Sequence, residues 1–280
     1  MLRIIGYSTM PGSAASNIEI SNSATGNPAL QMAQLGDGFT WSDSFPLYLE
    51  GFIGAARYDP TFVFQDGNQT QPISVKWNSI AANGGIGWDF KIADHWVLRP
   101  IVTVSLGYIA SDAHLFGLLL KDRTNIDIKF LHTGTMNSAG GGGSMVLGYY
   151  IREPRREIDV EFRGTSSFLT NWGHSAATVK GHANVEAVSG WERYRWPTGL
   201  ELFGRPIRYV VQSQQTQFIG PESKELGFNS LFSVGGGLET DPGGLKIGAF
   251  GLYVERVRVT ANYYFGPNVS GWSVGLGISF

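Results

Sequence analysis

The last ten residues, 271–280, read GWSVGLGISF. Every second residue counted from the end is large and apolar: Phe280, Ile278, Leu276, Val274 and Trp272. Between them stand Ser279, Gly277, Gly275 and Ser273. Side chains alternate across a β-strand, so this segment has one wholly apolar face and one lined by small residues. That apolar face needs an apolar neighbour, and the neighbour is either a second sheet or lipid.

Composition narrows the choice. The chain has 280 residues, with 38 Gly, 17 Phe, 11 Tyr and 8 Trp. Charged residues make up 16%, against about 25% in typical soluble domains. No run of 18 apolar residues exists, so no transmembrane helix is expected. A mean hydropathy of −0.05 is too low for a helical membrane protein and too high for a disordered chain. The net charge of −2 gives no electrostatic case for nucleic acid. There is no cysteine, which excludes disulfides and zinc–thiolate sites. The opening MLRIIGYSTMPG lacks the apolar core and cleavage site of a signal peptide, so an exported chain is expected to have had its signal removed.

Period-two segments dominate, and helical periodicity is almost absent. Twelve strands are expected, at 14–22, 29–41, 46–57, 73–91, 96–110, 137–151, 156–167, 177–193, 205–218, 226–239, 244–265 and 272–280. Most exceed the usual 5–6 residues of globular strands and suit a tilted transmembrane strand of about 9–11. In residues 157–163, Ile158, Val160 and Phe162 oppose Glu157, Asp159, Glu161 and Arg163. In 96–108, Trp96, Leu98, Pro100, Val102, Val104, Leu106 and Tyr108 oppose Arg99, Thr103, Ser105 and Gly107. In 179–187, Val179, Ala183, Val185 and Ala187 oppose Lys180, His182, Asn184 and Glu186. A soluble sandwich would bury the apolar face, whereas a membrane barrel turns it to lipid. Strand length and aromatic strand ends favour an all-β transmembrane antiparallel barrel of about twelve strands. On that reading Val160→Arg is costly and Asp159→Asn is mild.

Connections agree. WSDSF, IADHW, EPRR and TDPGG are short, while 58–72, 111–136, 168–176 and 219–225 are longer and polar. Transmembrane barrels have short turns on one side and long loops on the other. One longer segment, 194–204, falls on the short-turn side. Residues 1–13 are read as a separate N-terminal segment, either a lumen plug or a frayed terminus, ahead of a barrel domain at 14–280. The apolar stretch 115–120 is expected to form a short helix over the barrel mouth.

Ser273, Gly275, Ile278 and Phe280 resemble the C-terminal signal read by the barrel-assembly machinery of bacterial outer membranes. The whole chain resembles autotransporter β-domains, closest to the solitary outer-membrane barrels of that type. The stretches that carry the likeness are PLYLEGFIGAARYDPTF (46–62), GGIGWDFKIADHWVLRP (84–100) and GLKIGAFGLYVERVRVTANYYFG (244–266), with the last strand. The resemblance implies a twelve-stranded outer-membrane barrel with a filled or gated lumen, without enzymatic activity, that passes or displays an N-terminal segment or serves as a structural envelope barrel. It also implies outer-membrane lipid and lipopolysaccharide as surroundings, with the assembly machinery and periplasmic chaperones as partners. A monomer without cofactor is expected.

Candidate chemistry is sparse. His174, Ser175 and His182 are the nearest approach to an outer-membrane lipid hydrolase, but adjacent residues on a strand face opposite ways. His95, His114 and His132 have no ligand spacing. The run GGGGS at 140–144 lacks the Lys and helix of a phosphate loop and fits close approach of a neighbouring strand or lumenal element. By alternation Glu50, Asp89, Lys91, Arg99, Asp159, Glu161, Arg163, Lys180, Glu186, Arg208, Arg256 and Arg258 point into the lumen. Two readings are open. The charges pair across a closed lumen, or Arg163, Arg208, Arg256 and Arg258 form a basic track in a narrow anion-preferring channel.

Overall fold

The computed structural model describes residues 17–20, 29–59, 61–66, 69–74, 76–112, 135–173, 181–220, 227–242, 245–247, 252–254 and 256–279. Its strands are β1 (Asn17–Ile20), β2 (Ala29–Thr40), β3 (Leu47–Asp59), β4 (Thr61–Asp66), β5 (Gln69–Ser74), β6 (Trp77–Trp88), β7 (Phe90–Ala93), β8 (Trp96–Ser111) and β9 (Thr135–Glu153). They continue as β10 (Arg156–Asn171), β11 (His182–Leu202), β12 (Arg205–Ile219), β13 (Ser230–Thr240), β14 (Leu245–Ile247), β15 (Leu252–Val254), β16 (Arg256–Gly266) and β17 (Val269–Ser279).

Twelve of them form one closed antiparallel ring in the order β1, β2, β3, β6, β8, β9, β10, β11, β12, β13, β16, β17. The ring closes where β17 pairs with β1, Trp272 opposite Asn17 and Val269 opposite Ile20. Closure leaves no open sheet edge, which is the condition for strands to cross hydrocarbon. The short strand β7 prolongs β6 past Asp89 and stays on β8. The twelve-stranded barrel expected from the alternation is the observed architecture.

The outward face is apolar. Val102, Val104 and Leu106 of β8, Val259 and Tyr263 of β16, and Trp272, Val274 and Leu276 of β17 all stand exposed on the barrel exterior. Val102 is 72% exposed, and a continuous exterior band of such residues is favourable against lipid. Aromatics gather at both ends of this band. Trp96 packs on Tyr149 with ring centroids 5.0 Å apart, and Trp196 on Tyr209 at 5.5 Å, near the turn-bearing end. Phe232, Phe265 and Tyr263 stack near the loop-bearing end. These are the two interfacial girdles of a transmembrane barrel.

Several expected boundaries differ. Residues 194–204 are not a long connection: β11 runs through to Leu202 and turns on Phe203 and Gly204. Both have positive φ, 52° and 73°, the backbone twist that two-residue hairpins favour. The expected strand 244–265 is two structures, a small hairpin of β14 and β15 followed by β16. The expected loop 58–72 contains another hairpin, β4 with β5. The last loop-side connection is only Pro267–Asn268, so short and long connections do not alternate to the end. Residues 1–13 and 115–120 lie outside the described residues.

One facing assignment is reversed. Ala183, Val185 and Ala187 are buried inside the barrel, so His182, Asn184 and Glu186 point outward. The reason is length. β11 has 21 residues, about twice what a bilayer requires. Its loop-side end lies beyond the lipid, where the outer surface is wet and the inner one must be dry.

Candidate functional site: the lumen

The interior divides along the barrel axis. Toward the loop-bearing end, Ile18, Ile20, Leu30, Met32, Ala56, Leu169, Val185, Ala187, Phe218, Phe228, Leu231, Tyr264 and Val269 form a single buried apolar cluster. These side chains come from nine of the twelve ring strands, with Phe228 from the connection ahead of β13. Beside them Ala81, Ile109, Met136 and Ala183 form a second cluster, with Trp77 packed against it. Together they line the loop-side end of the interior with buried apolar side chains. Burial of this kind is worth about 1.5–3 kcal/mol for each fully buried large side chain.

The turn-side half holds charge, in two groups. In the first, Arg163 grips Glu50 with both terminal nitrogens, at 2.8 and 2.7 Å, and donates to Ser144 Oγ at 2.9 Å. The Glu50 side chain is 1% exposed. Gly85 makes room for it, because a Cβ there would lie 2.7 Å from Glu50 Cγ. Arg99 forms a two-pronged pair with Asp89 and lies over the Tyr48 ring, 3.8 Å from its centroid. Thr40 also donates to Asp89, at 2.7 Å, and Tyr150 donates to Glu161 Oε1 at 2.6 Å. Glu50, Asp89, Arg99, Glu161 and Arg163 are thus brought together.

The second group centres on Arg195. It bridges Asp159 at 2.7 Å, Glu157 at 3.3 Å and Glu239 at 3.3 Å. Arg208 and Arg256 also hold Glu157, and Arg152 holds Asp159. Arg256 reaches Glu239 at 3.2 Å, and Arg258 links Glu239 at 3.6 Å to Asp37 at 3.3 Å. Buried charges survive only when paired and hydrogen-bonded, and this network pairs them both between neighbouring strands, as Glu157 with Arg195, and between separated ones, as Glu157 with Arg256. Arg193 differs. It is buried, donates to Gln212 at 3.2 Å and lies 4.1 Å from the Trp191 ring centroid, with no carboxylate partner among the described residues.

Other expected lumen charges sit elsewhere. Lys91 is at the turn-side rim, paired with Asp43 at 3.3 Å, and both side chains are largely exposed, 68% and 97%. Glu186 faces outward, because the alternation on β11 places Val185 and Ala187 inside. Lys180 lies outside the described residues, as do His174, Ser175, His114 and His132. His182 is exposed and stacks near Phe168, ring centroids 6.0 Å apart. Among the described residues no group of three His, Asp or Glu side chains could hold a metal ion.

Sequence reading left Arg193, Arg195 and Glu239 out of the lumenal charges, and placed Glu157 on the polar face of its strand without naming it among them. The strand carrying the arginines was expected to end at 193, which left Arg195 in a connection. The residues of the C-terminal strand fall as follows. Ser273 is buried and accepts from Asn262 Nδ2 at 3.2 Å. Gly275 faces Thr260 and Ile278 faces Val257 in the register of β16 with β17. Phe280 lies outside the described residues. Gly140 and Gly142, from the glycine run, lie where a Cβ would press on Leu169 and Ser167 of the neighbouring strand.

No family model and no curated protein matches the sequence. Solved structures do. The β-domain of the Bordetella autotransporter BrkA is similar with a TM-score of 0.52 and 14% identity, over 95% of this chain and 96% of that one. The translocator domain of the autotransporter NalP from Neisseria meningitidis gives 0.45 and 11%, over 100% of this chain and 93% of that one. The transport unit of the Escherichia coli autotransporter AIDA-I gives 0.48 and 11%, over 94% and 88%. The likeness to the BrkA β-domain spans both chains almost end to end, and the protein has the fold of an autotransporter β-domain, a closed twelve-stranded antiparallel barrel.

Proposed function

We propose that the protein is a non-enzymatic barrel of a bacterial outer membrane, of the autotransporter translocator type. It anchors or displays the segment that precedes β1, and its lumen is closed at rest. The observation that carries this reading is the buried apolar cluster lining the loop-side end of the interior, from Ile18 and Leu30 to Leu169 and Phe218. A diffusion pore needs a wetted path, and these side chains offer none. The paired charges of the turn-side half act in the same direction, since Arg163 with Glu50 and Arg256 with Glu157 tie strands that are not neighbours in the ring. The test is single-channel recording of the refolded protein in planar bilayers, together with surface labelling of an epitope placed ahead of Asn17. Electrical silence with a surface-accessible epitope is expected. Steady conductance from the intact chain would overturn the closed-lumen reading.

A narrow anion-preferring channel is the second reading, favoured by Arg193, a buried cation without a carboxylate partner among the described residues. Anion-selective current that falls on Arg193→Gln would support it. Ser273, Gly275, Ile278 and Phe280 are proposed as the signal for barrel assembly. Deletion of Phe280 is then expected to abolish heat-modifiable barrel in the outer membrane while refolding into detergent is kept.

A further inference from the structure

The arginines of the two lumenal groups each hold a carboxylate, with one exception. Arg193 is inward on β11, 8% exposed, and stands opposite Asp159 on β10 and Gln212 on β12. Asp159 is already taken, by Arg195 at 2.7 Å and by Arg152. Glu161, two residues further along β10, accepts from Tyr150 instead. What Arg193 finds is neutral: its Nε–H donates to Gln212 Oε1 at 3.2 Å, and the Trp191 ring centroid lies 4.1 Å away. The N–H groups of both terminal nitrogens have no acceptor among the described residues.

The polar groups beside it do not fill that gap. Gln212 Nε2 donates to Asn262 Oδ1 at 2.6 Å, and Asn262 Nδ2 donates to Ser273 Oγ at 3.2 Å. This run of amides passes Gly235 of β13, where a Cβ would lie 2.1 Å from Asn262 Oδ1. Both amide oxygens are thus used, one by Arg193 itself.

The charge balance points the same way. With Arg193 counted, the group around Arg195 has six arginines and four carboxylates. The group around Glu50 has two arginines and three carboxylates, so the two groups together keep one positive charge over. An unpaired charge in a low-dielectric interior is costly, and a guanidinium cannot shed its proton to escape that cost. The segment ahead of β1 brings no remedy, since residues 1–16 include Arg3 but neither Asp nor Glu.

We propose that one small inorganic anion is held in the lumen against the terminal nitrogens of Arg193, as a resident counter-ion. The guanidinium fork offers such an ion two parallel donors. Residence requires the closed lumen proposed above, because in a wetted pore water would solvate the cation and the ion would pass through.

The test uses the full chain refolded in neutral micelles. Urea unfolding is followed at constant ionic strength while sodium chloride replaces sodium gluconate, a bulkier anion. Once the site begins to fill, the wild-type folding constant is expected to rise about tenfold for each tenfold rise in chloride, the slope of a single site. Arg193→Gln is expected to give a folded, heat-modifiable barrel that ignores chloride and is at least as stable as the wild type in gluconate alone. Gln212→Glu keeps the arginine, supplies the missing charge from the neighbouring strand, and is expected to lose the chloride response as well. A wild type indifferent to chloride would overturn the proposal, as would either variant keeping the wild-type slope. Bilayer recording separates the two readings. A silent barrel without a chloride response removes the ion and leaves the lumen closed, whereas a conducting barrel removes the closed lumen and the resident ion with it.

Discussion

The two halves of the lumen are built from the same strands by the same alternation, yet they hold opposite chemistry. On β11 the loop-side residues Ala183, Val185 and Ala187 are buried and apolar, whereas the turn-side residues Arg193 and Arg195 are buried and charged. The inward parity never changes between them, since the register of β11 with β10 runs unbroken from His182 to Arg195. What changes is the solvent outside. Where lipid covers the barrel, the apolar side chains go out and the polar ones are left to satisfy one another inside. Where the strand outruns the bilayer, water takes the outer face and the interior becomes an ordinary hydrophobic core.

Substitutions test this contrast. The largest effect is expected in the charged half. Glu50→Gln removes the partner of Arg163, and breaking a buried pair typically costs about 3–5 kcal/mol. Asp159→Asn belongs in the same class, because Asp159 is held by Arg195 and Arg152 and is 4% exposed. The mild effect expected from alternation alone assumed a wet lumen. Denaturant unfolding in micelles measures both, and a loss below about 1 kcal/mol would mean that the network is solvated.

In the apolar half, Phe218→Ala is expected to cost about 3–5 kcal/mol and to produce intermittent conductance as the mouth loosens. An unchanged, silent bilayer record would place the seal elsewhere. On the lipid face, Val160→Arg is expected to cost up to about 2–4 kcal/mol, since Val160 stands on the outward side of β10, and the cross-strand pair with Glu192 lowers that cost by about 0.2–1 kcal/mol. Reversible unfolding into lipid vesicles checks this. At the rim, Lys91→Ala is expected to change stability by about 0–1 kcal/mol, because the pair with Asp43 is open to water. A large loss there would show that the turn side is more enclosed than the side-chain exposure indicates.

Much of the barrel was legible along the chain because period-two alternation is a local property. Each strand declares its two faces without knowing its neighbours, and the closing residues 272–279 do so with no exception. Closure itself followed from length, since strands of this reach with apolar outer faces have no other stable arrangement in lipid. The site was legible only in part. Glu50, Asp89, Arg99, Asp159, Glu161 and Arg163 could be placed on the inward face, but nothing local says that Glu50 meets Arg163, 113 residues away, or that Glu157 meets Arg256, 99 residues away. Those pairings depend on strand register and on which walls of the ring face one another. Glu186 was misplaced for a related reason. Alternation reports two faces but not which one is inside, and that is settled by where the membrane ends along the strand, a property of the assembled barrel and its solvent.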